Sequence, residues 1–283
     1  MKDELVSIIM PCLNSESYIG GSIESVINQT YKEWELIVCD DGSEDKTLKI
    51  ANSFKHKEQR ISVISNMHKK GAAGSRNSCL DIAKGKYIAF LDSDDLWYPD
   101  KLKIQIDFMK KNNCSFTFSY VDIIDEANNH LKFYKSPKKI NAKLMMFNNF
   151  IPCCTVVYDS SKIGKIHQPD IKKRNDYALW LTILKNHLQY CYCVPQVTAA
   201  YRSNSYGLAS NKIDNIKYYY KCRIKYANSN HILAAFELIM YLATMLLKTK
   251  FTNGMKMRVY LFTLNLAGLV EKFQLVKKTD QMV

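Results

Sequence analysis

Short apolar runs alternate with stretches of helical period through the first two-fifths of the chain. That alternation limits the fold more than any other feature of the sequence. LVSIIM (5–10), ELIVC (35–39), ISVI (61–64), KYIAFL (86–91) and SFTFSYV (115–121) read as strands. Between them Tyr18, Ile19, Ser22, Ile23, Val26 and Ile27 recur at helical spacing, as do Leu48, Ala51 and Phe54. Further helices are expected around 75–83 and from Pro99 to about Lys111, with proline in the first turn where its missing N–H costs nothing. Repeated β-α-β units imply an α/β protein with a mainly parallel sheet and helices on both faces. The strands are almost wholly apolar, as expected when both faces of a sheet are covered. In such sheets ligands bind beyond the carboxyl ends of the strands.

Those ends are acidic and polar. The first strand runs into Pro11, Cys12, Leu13 and Asn14, the second into Asp40, Asp41, Gly42 and Ser43, and the fourth into Asp92, Ser93, Asp94 and Asp95. A loop aspartate is often only a turn former or helix cap, and that role suits Asp95. It does not suit the whole cluster, because several like charges at one strand end repel one another unless a cation neutralises them. Oxygen-only ligands select hard cations such as Mg²⁺ or Mn²⁺, which complete their shells with water and substrate phosphates. The pattern therefore points to a diphosphate-containing substrate. Neither a GxxxxGK[ST] loop nor a strand-linked GxGxxG is present to bind phosphate by other means.

These motifs stand in a fixed order. VSIIMPCLN is followed by SVINQTYKEWELIVCDDGSEDKT, GAAGSRNSCLDIAKGKYIAFLDSDDLWYPDKL and KKRNDYALWLTIL. In order and spacing they resemble the inverting family 2 glycosyltransferases of Rossmann-like GT-A fold, over roughly residues 4–205. The stretch QPDIKKRNDYALWL is most similar to transferases of teichuronic-acid, capsule and O-antigen assembly. The resemblance implies that Asp41 reads the nucleotide base, that Asp94 binds the metal directly, and that Asp92 lies nearer the ribose or the metal waters. Pro11, Leu13, Asn14 and Ser93 complete the implied nucleotide-sugar site. Arg76 of GSRN is implied to contact the donor, although a surface ion pair is its plainer role. Asp176 of RND is implied to be the catalytic base, and a helix N-cap is the plainer role there. Arg202 lies where the family has a loop that folds over the diphosphate. Two positions depart from the family pattern: Leu13 stands where many relatives carry an aromatic, and Asn175 where a glutamate is usual.

The implied chemistry is a single displacement. An acceptor hydroxyl loses its proton to a carboxylate opposite the leaving group, and a divalent ion with an arginine stabilises the departing nucleoside diphosphate. The expected donor is a nucleotide sugar, a UDP-sugar by the resemblance. The expected acceptor is a lipid-diphosphate-linked saccharide of a bacterial surface polysaccharide. A nucleotidyltransferase would also use metal and carboxylates, but it would carry a basic glycine-rich loop after the first strand, and PCLNSESYIGG has no cation. A non-catalytic sugar-nucleotide binder or membrane scaffold on the same fold is the other alternative.

Composition bounds the rest. The 283 residues suffice for one large α/β body with an appendage, and 47% hydrophobic with 24% charged residues is ordinary for a globular chain. The sequence divides into a catalytic part at 1–211, with a nucleotide-sugar half (1–111) and an acceptor half (112–211), and a helical tail at 212–283. Of the net charge of +13, the tail carries +8, from twelve Lys or Arg against four acids. Such a tail suits an anionic partner. Its apolar runs at 232–247 and 259–270 are shorter than the roughly 20 residues of a spanning helix. They read as helices packed on each other that also rest on an anionic membrane surface; no nucleic-acid motif accompanies them. Nine scattered cysteines without metal spacing read as reduced thiols. With no secretory leader evident at the start of the sequence, the expected location is cytoplasmic, peripheral on the inner face of the plasma membrane.

Overall fold

The computed structural model describes residues 4–203, 212–227 and 229–247. Along the chain it runs β1 (Val6–Cys12), α1 (Ile19–Ile27), β2 (Trp34–Asp40), α2 (Thr47–Lys55), β3 (Ile61–Ser65), α3 (Ala72–Ile82), β4 (Tyr87–Phe90) and β5 (Leu96–Trp97). It continues through α4 (Lys101–Asn112), β6 (Phe116–Ile124), β7 (His130–Tyr134), β8 (Lys139–Ile140), β9 (Val157–Asp159), α5 (Ser160–Ile163), α6 (Asn175–Asn186), β10 (Cys191–Arg202), α7 (Lys212–Tyr226) and α8 (His231–Leu247). Every strand and helix expected from periodicity within residues 5–121 is present. Pro99 is not inside α4, however. Its carbonyl accepts the Thr30 N–H at 2.9 Å, and the helix starts after the cap residue Asp100.

The sheet has the order β3-β2-β1-β4-β9-β6-β10-β5, with β7 on β6 and β8 on β10. β1 to β4 pair in parallel as expected. Beyond them the sheet is mixed: β9 enters antiparallel between β4 and β6, and β5, β7 and β8 also pair antiparallel. β9 is too short to show a period, so periodicity could not announce it.

Alternate residues of β1, β2 and β4 feed two cores, one on each face. Ile9, Ile37, Ile88 and Phe90 join Leu80 of α3 and the apolar face of α6. Ile8, Met10, Leu36, Val38 and Ala89 join α1 and α4. Trp180 of α6 anchors the first core, packing edge-on against Phe90 and Phe116 at 5.6 and 5.3 Å. Such pairs contribute about 0.5–1.5 kcal/mol beyond their buried area. The second core encloses an amine: Lys101 is fully buried, donates to Gln105 Oε1 at 2.7 Å and lies 4.2 Å from the Trp97 ring. Burial depresses its pKa to about 7.

α7 and α8 lie on the α3/α6 side. Tyr219, Cys222 and Tyr241 belong to the same core as Trp180. Glu237, which interrupts the apolar run of α8, is buried and paired with Arg223 of α7, with Ser229 Oγ donating to it at 2.9 Å. No helix among the described residues is long and apolar enough to cross a membrane. The run at 259–270 and most of the tail's cations lie outside the described residues. All nine cysteines are free, and eight are buried.

Candidate active site

Sheet register gathers the acidic loops. Cys12 sits opposite Asp40, Asp40 opposite Ser65, and Ile9 opposite Phe90, so the loops after β1, β2 and β4 leave the sheet side by side. Each loop is then fixed by its own short side chains. Asp40 accepts the Gly42 and Ser43 N–H groups, both at 3.1 Å. That turn holds Gly42 at φ +91°, a conformation glycine adopts freely and other residues rarely do. Asp41 accepts the Gly71 N–H at 2.8 Å and Asn66 Nδ2 at 2.6 Å. Ser22 of α1 donates to the carbonyls of Ser93 and Asp95 at 2.9 and 2.8 Å, pinning the DSDD loop from behind. At Gly74 a Cβ would stand 1.9 Å from the Lys69 carbonyl, so only glycine lets α3 approach the loop that reaches Asp41.

Arg76 ties these loops to the second half of the chain. It is buried, and its guanidinium donates to Asp92 Oδ1, to Gln168 Oε1 at 3.1 Å and to Asn175 Oδ1 at 3.2 Å. Burial works to lower its pKa, but the Asp92 carboxylate outweighs burial and keeps it firmly protonated. Asp95 is buried too, and burial, then the charges of Asp94 and Asp92, push its pKa well up. It serves the scaffold, accepting the Arg202 N–H at 2.9 Å.

Pro11, Leu13, Asp41, Arg76, Asp92, Ser93 and Asp94 line one cleft of about 1300 Å³. Asn14 and Arg202 are not among its lining residues. The Asn14 N–H is bound to Ser43 Oγ at 3.0 Å. The Arg202 guanidinium is buried and donates to the carbonyls of Asp94, Asp125 and Glu126 and to Asn128 Oδ1. It braces the DSDD loop from the end of β10.

Asp176 is not a helix cap. It is the second residue of α6, after the cap residue Arg174, which has φ 62° and makes no side-chain cap bond. Asp176 is half-buried and accepts Asn149 Nδ2 at 2.8 Å, one residue beyond the cleft-lining Asn175. Its charge lies close enough to Arg76 to help hold that guanidinium protonated. The first turn of a helix also favours a carboxylate.

Sequence reasoning missed three contributors. Gln168 N–H donates to Asn77 Oδ1 at 2.6 Å, and Asn77 Nδ2 returns a bond to the Gln168 carbonyl, which locks 168–170 onto α3. Arg174 reaches Asn215 O at 3.1 Å and Tyr241 Oη at 2.6 Å, and stacks near Tyr177, Tyr219 and Tyr241. The third is α7 itself, which forms a cleft wall through Tyr218, Lys221, Ile224 and Lys225. No local motif marks a helix as a cleft wall, so this placement emerges only from the packing of α7 on α6.

Comparison with known proteins fixes the family. The model of glycosyl transferase family 2 matches residues 7–161. The chain belongs to glycosyl transferase family 2. An Escherichia coli relative, the UDP-Glc:alpha-D-GlcNAc-diphosphoundecaprenol beta-1,3-glucosyltransferase WfgD, is 43% identical over 77% of this chain and 84% of its own. TuaG of Bacillus subtilis (strain 168), named for teichuronic acid biosynthesis, is 37% identical over 74% of this chain and 82% of its own. The mannosyltransferase PcManGT of Pyrobaculum calidifontis, solved with GDP-Man and Mn²⁺, superposes with a TM-score of 0.63 at 14% identity, over 94% of this chain and 81% of that one. That likeness establishes the GT-A fold of this family 2 glycosyltransferase.

The donor set of the transferase fits a hard divalent cation. Asp92 and Asp94 are half-buried carboxylates two residues apart on the cleft wall, with no sulfur or imidazole ligand beside them in the DSDD loop. Two carboxylates leave most of a metal's shell to water and substrate phosphate, which is how Mg²⁺ and Mn²⁺ are commonly held.

Proposed function

We propose that this glycosyltransferase moves a hexosyl or hexosaminyl group from a UDP-sugar to a hydroxyl of a lipid-diphosphate-linked saccharide, with inversion at the anomeric carbon. The observation that carries the proposal is the linkage through Arg76. One buried guanidinium joins Asp92, on the donor side of the cleft, to Asn175, the neighbour of Asp176. The WfgD relative, named for a UDP-glucose donor and a diphosphoundecaprenol-linked acceptor, supports both substrate classes.

In this reading Asp41 contacts the nucleotide base, and Leu13 and Pro11 form the apolar wall beside it. Asn14 and Ser93 shape the loops around the nucleotide. Asp94, with Asp92, holds Mg²⁺ or Mn²⁺. When bound, the ion neutralises charge on the donor diphosphate. Arg76 places a fixed positive charge at the same wall and needs no reorganisation as the leaving group departs. Arg202 acts from behind, by holding the backbone of the DSDD loop. Asp176 takes the proton of the attacking hydroxyl, and Asn149 Nδ2 orients its carboxylate. The enzyme works as a catalytic part (1–211) with a tail (212–283) that meets the inner face of the membrane. Support for that contact comes from α8, where Ile232, Ala235 and Ile239 share one exposed apolar face.

Replacing Asp176 with Asn tests the assignment. Turnover should fall by about 10²–10⁴, the usual worth of a general base, while affinity for the UDP-sugar holds. Turnover near wild type would remove Asp176 from the mechanism.

A further inference from the structure

The cleft has a side of mixed charge, where Lys69, Lys70, Arg76 and Lys172 accompany the acids, and a side that is basic only. One carries Asp41, Asp92 and Asp94, and the other is α7, which presents Lys221 and Lys225 with Tyr218 and Ile224. At about 1300 Å³ the cleft exceeds the range of roughly 300–1000 Å³ typical of single small-molecule sites, so it has room for two ligands. We propose that Lys221 and Lys225 form a diphosphate subsite for the acceptor, distinct from the donor's diphosphate site at Asp92 and Asp94. The proposal rests on the reading of the acceptor as a lipid-diphosphate-linked saccharide.

Three observations support it. Lys221 and Lys225 are four residues apart, so they share a helix face with Cβ atoms about 5–6 Å apart. Two phosphoryl groups joined by one oxygen can bridge that span. Second, no acid among the described residues pairs with either lysine, whereas Lys69 across the cleft is paired with Asp170 at 2.9 Å. Two exposed ammonium groups one turn apart repel each other until an anion with several charges lies between them. Third, the apolar face of α8 starts at the same corner. His231 lines the cleft and accepts or donates at Nδ1 with Tyr220 Oη at 2.9 Å, and Ile232, 77% exposed, follows it. A prenyl chain leaving a diphosphate at Lys221 and Lys225 would run directly onto Ile232 and Ile239.

The test compares the wild type with a Lys221→Gln/Lys225→Gln double variant of the full chain. Two acceptors are used: N-acetylglucosamine on a prenyl diphosphate, and the octyl glycoside of the same sugar. The variant should raise KM for the diphosphate acceptor at least tenfold and cut the preference for it over the glycoside by a similar factor. KM for UDP-glucose should move less than twofold. Equal loss on both acceptors would overturn the proposal in favour of a structural role. A rise confined to the KM of UDP-glucose would assign the lysines to the donor. Weaker sedimentation with phosphatidylglycerol vesicles at an unchanged acceptor KM would assign them to the membrane surface and overturn it as well. Should the wild type transfer to neither acceptor, the functional reading fails separately. Thermal shifts with farnesyl diphosphate then decide the subsite: stabilisation of the wild type that the variant loses sustains it, and no stabilisation of the wild type overturns it.

Discussion

The two walls of the cleft are built in opposite ways. On the acidic wall the cleft-lining carboxylates or their loops are already engaged by neighbours. Asp41 is held by Gly71 and Asn66, Asp92 by Arg76, and the loop that carries Asp94 by Ser22 and Arg202. On the α7 wall the lysines are exposed and pair with no acid among the described residues; the helix is fixed from behind instead, through Tyr219 and the buried Arg223–Glu237 pair. One wall is preorganised side chain by side chain. The other is a rigid rod carrying adaptable cations. Preorganisation suits the wall where charge develops as a bond breaks, because fixed dipoles then need no rearrangement. Adaptable lysines suit a wall that grips a ligand remote from the reacting bond.

The largest break in this contrast should come from Asp94. Replacing it with Ala should lower turnover by about 10³, the several kcal/mol expected of a lost metal contribution. Added Mn²⁺ should restore little of it, whereas wild-type enzyme stripped by a chelator should recover fully on Mn²⁺ addition. A variant that stays active without metal would show that the acidic wall works by another chemistry.

Arg76 comes next. Arg76→Lys keeps the charge but cannot serve Asp92, Gln168 and Asn175 from one planar group. Turnover should fall about 10²-fold, with UDP affinity reduced less. A loss equal to that of a destabilised mutant, tracked by Tm, would mean that Arg76 is only a buried clamp.

How much of this was legible follows the same division between the walls. The acidic wall is local: its residues lie within four residues of a strand end, and a β-α-β reading brings the ends together. Asp41, Asp92, Asp94 and the strands β1 to β4 could therefore be read directly. The α7 wall depends on contacts between residues far apart in the chain. KYYYKCRIKY at 217–226 reads as a basic aromatic helix in any setting, and nothing in it says that Lys221 and Asp92 line one cleft. Arg202 shows the same limit from the other side. Its position at the end of β10 resembles the start of a donor-binding loop, yet the fold commits its guanidinium to three carbonyls and an asparagine. β9 escaped because three residues carry no period, although it is the strand that joins β4 to β6.

Arg174 sharpens the comparison, because it connects the walls. It immediately precedes the helix that carries Asp176 and reaches Asn215 of α7 and Tyr241 of α8. Arg174→Ala should lower kcat about tenfold through misplacement of Asp176, with KM for the UDP-sugar unchanged. Tyr241→Phe, which keeps the ring and removes the 2.6 Å hydrogen bond from Arg174, should do the same more weakly. A fall in Tm without a change in kcat would confine Arg174 to packing.

The smallest effect on turnover lies outside both walls, in the pH dependence of stability. Lys101 is neutral in the folded protein above about pH 7 and charged in the unfolded chain up to its ordinary pKa near 10.4. Between those values the unfolded state binds the extra proton, so stability rises with pH; below about pH 7 both states are charged and the contribution is flat. Relative to a Lys101→Met variant, the wild type should therefore gain up to about 1.4 kcal/mol per pH unit from pH 7 towards 10, and nothing from pH 5 to 6.5. Parallel stability curves across the alkaline range would show that Lys101 keeps its charge beside Trp97. Because this titration falls near neutrality, a pH–activity profile of the wild type mixes scaffold and cleft. The same profile in the Lys101→Met background is free of that scaffold contribution.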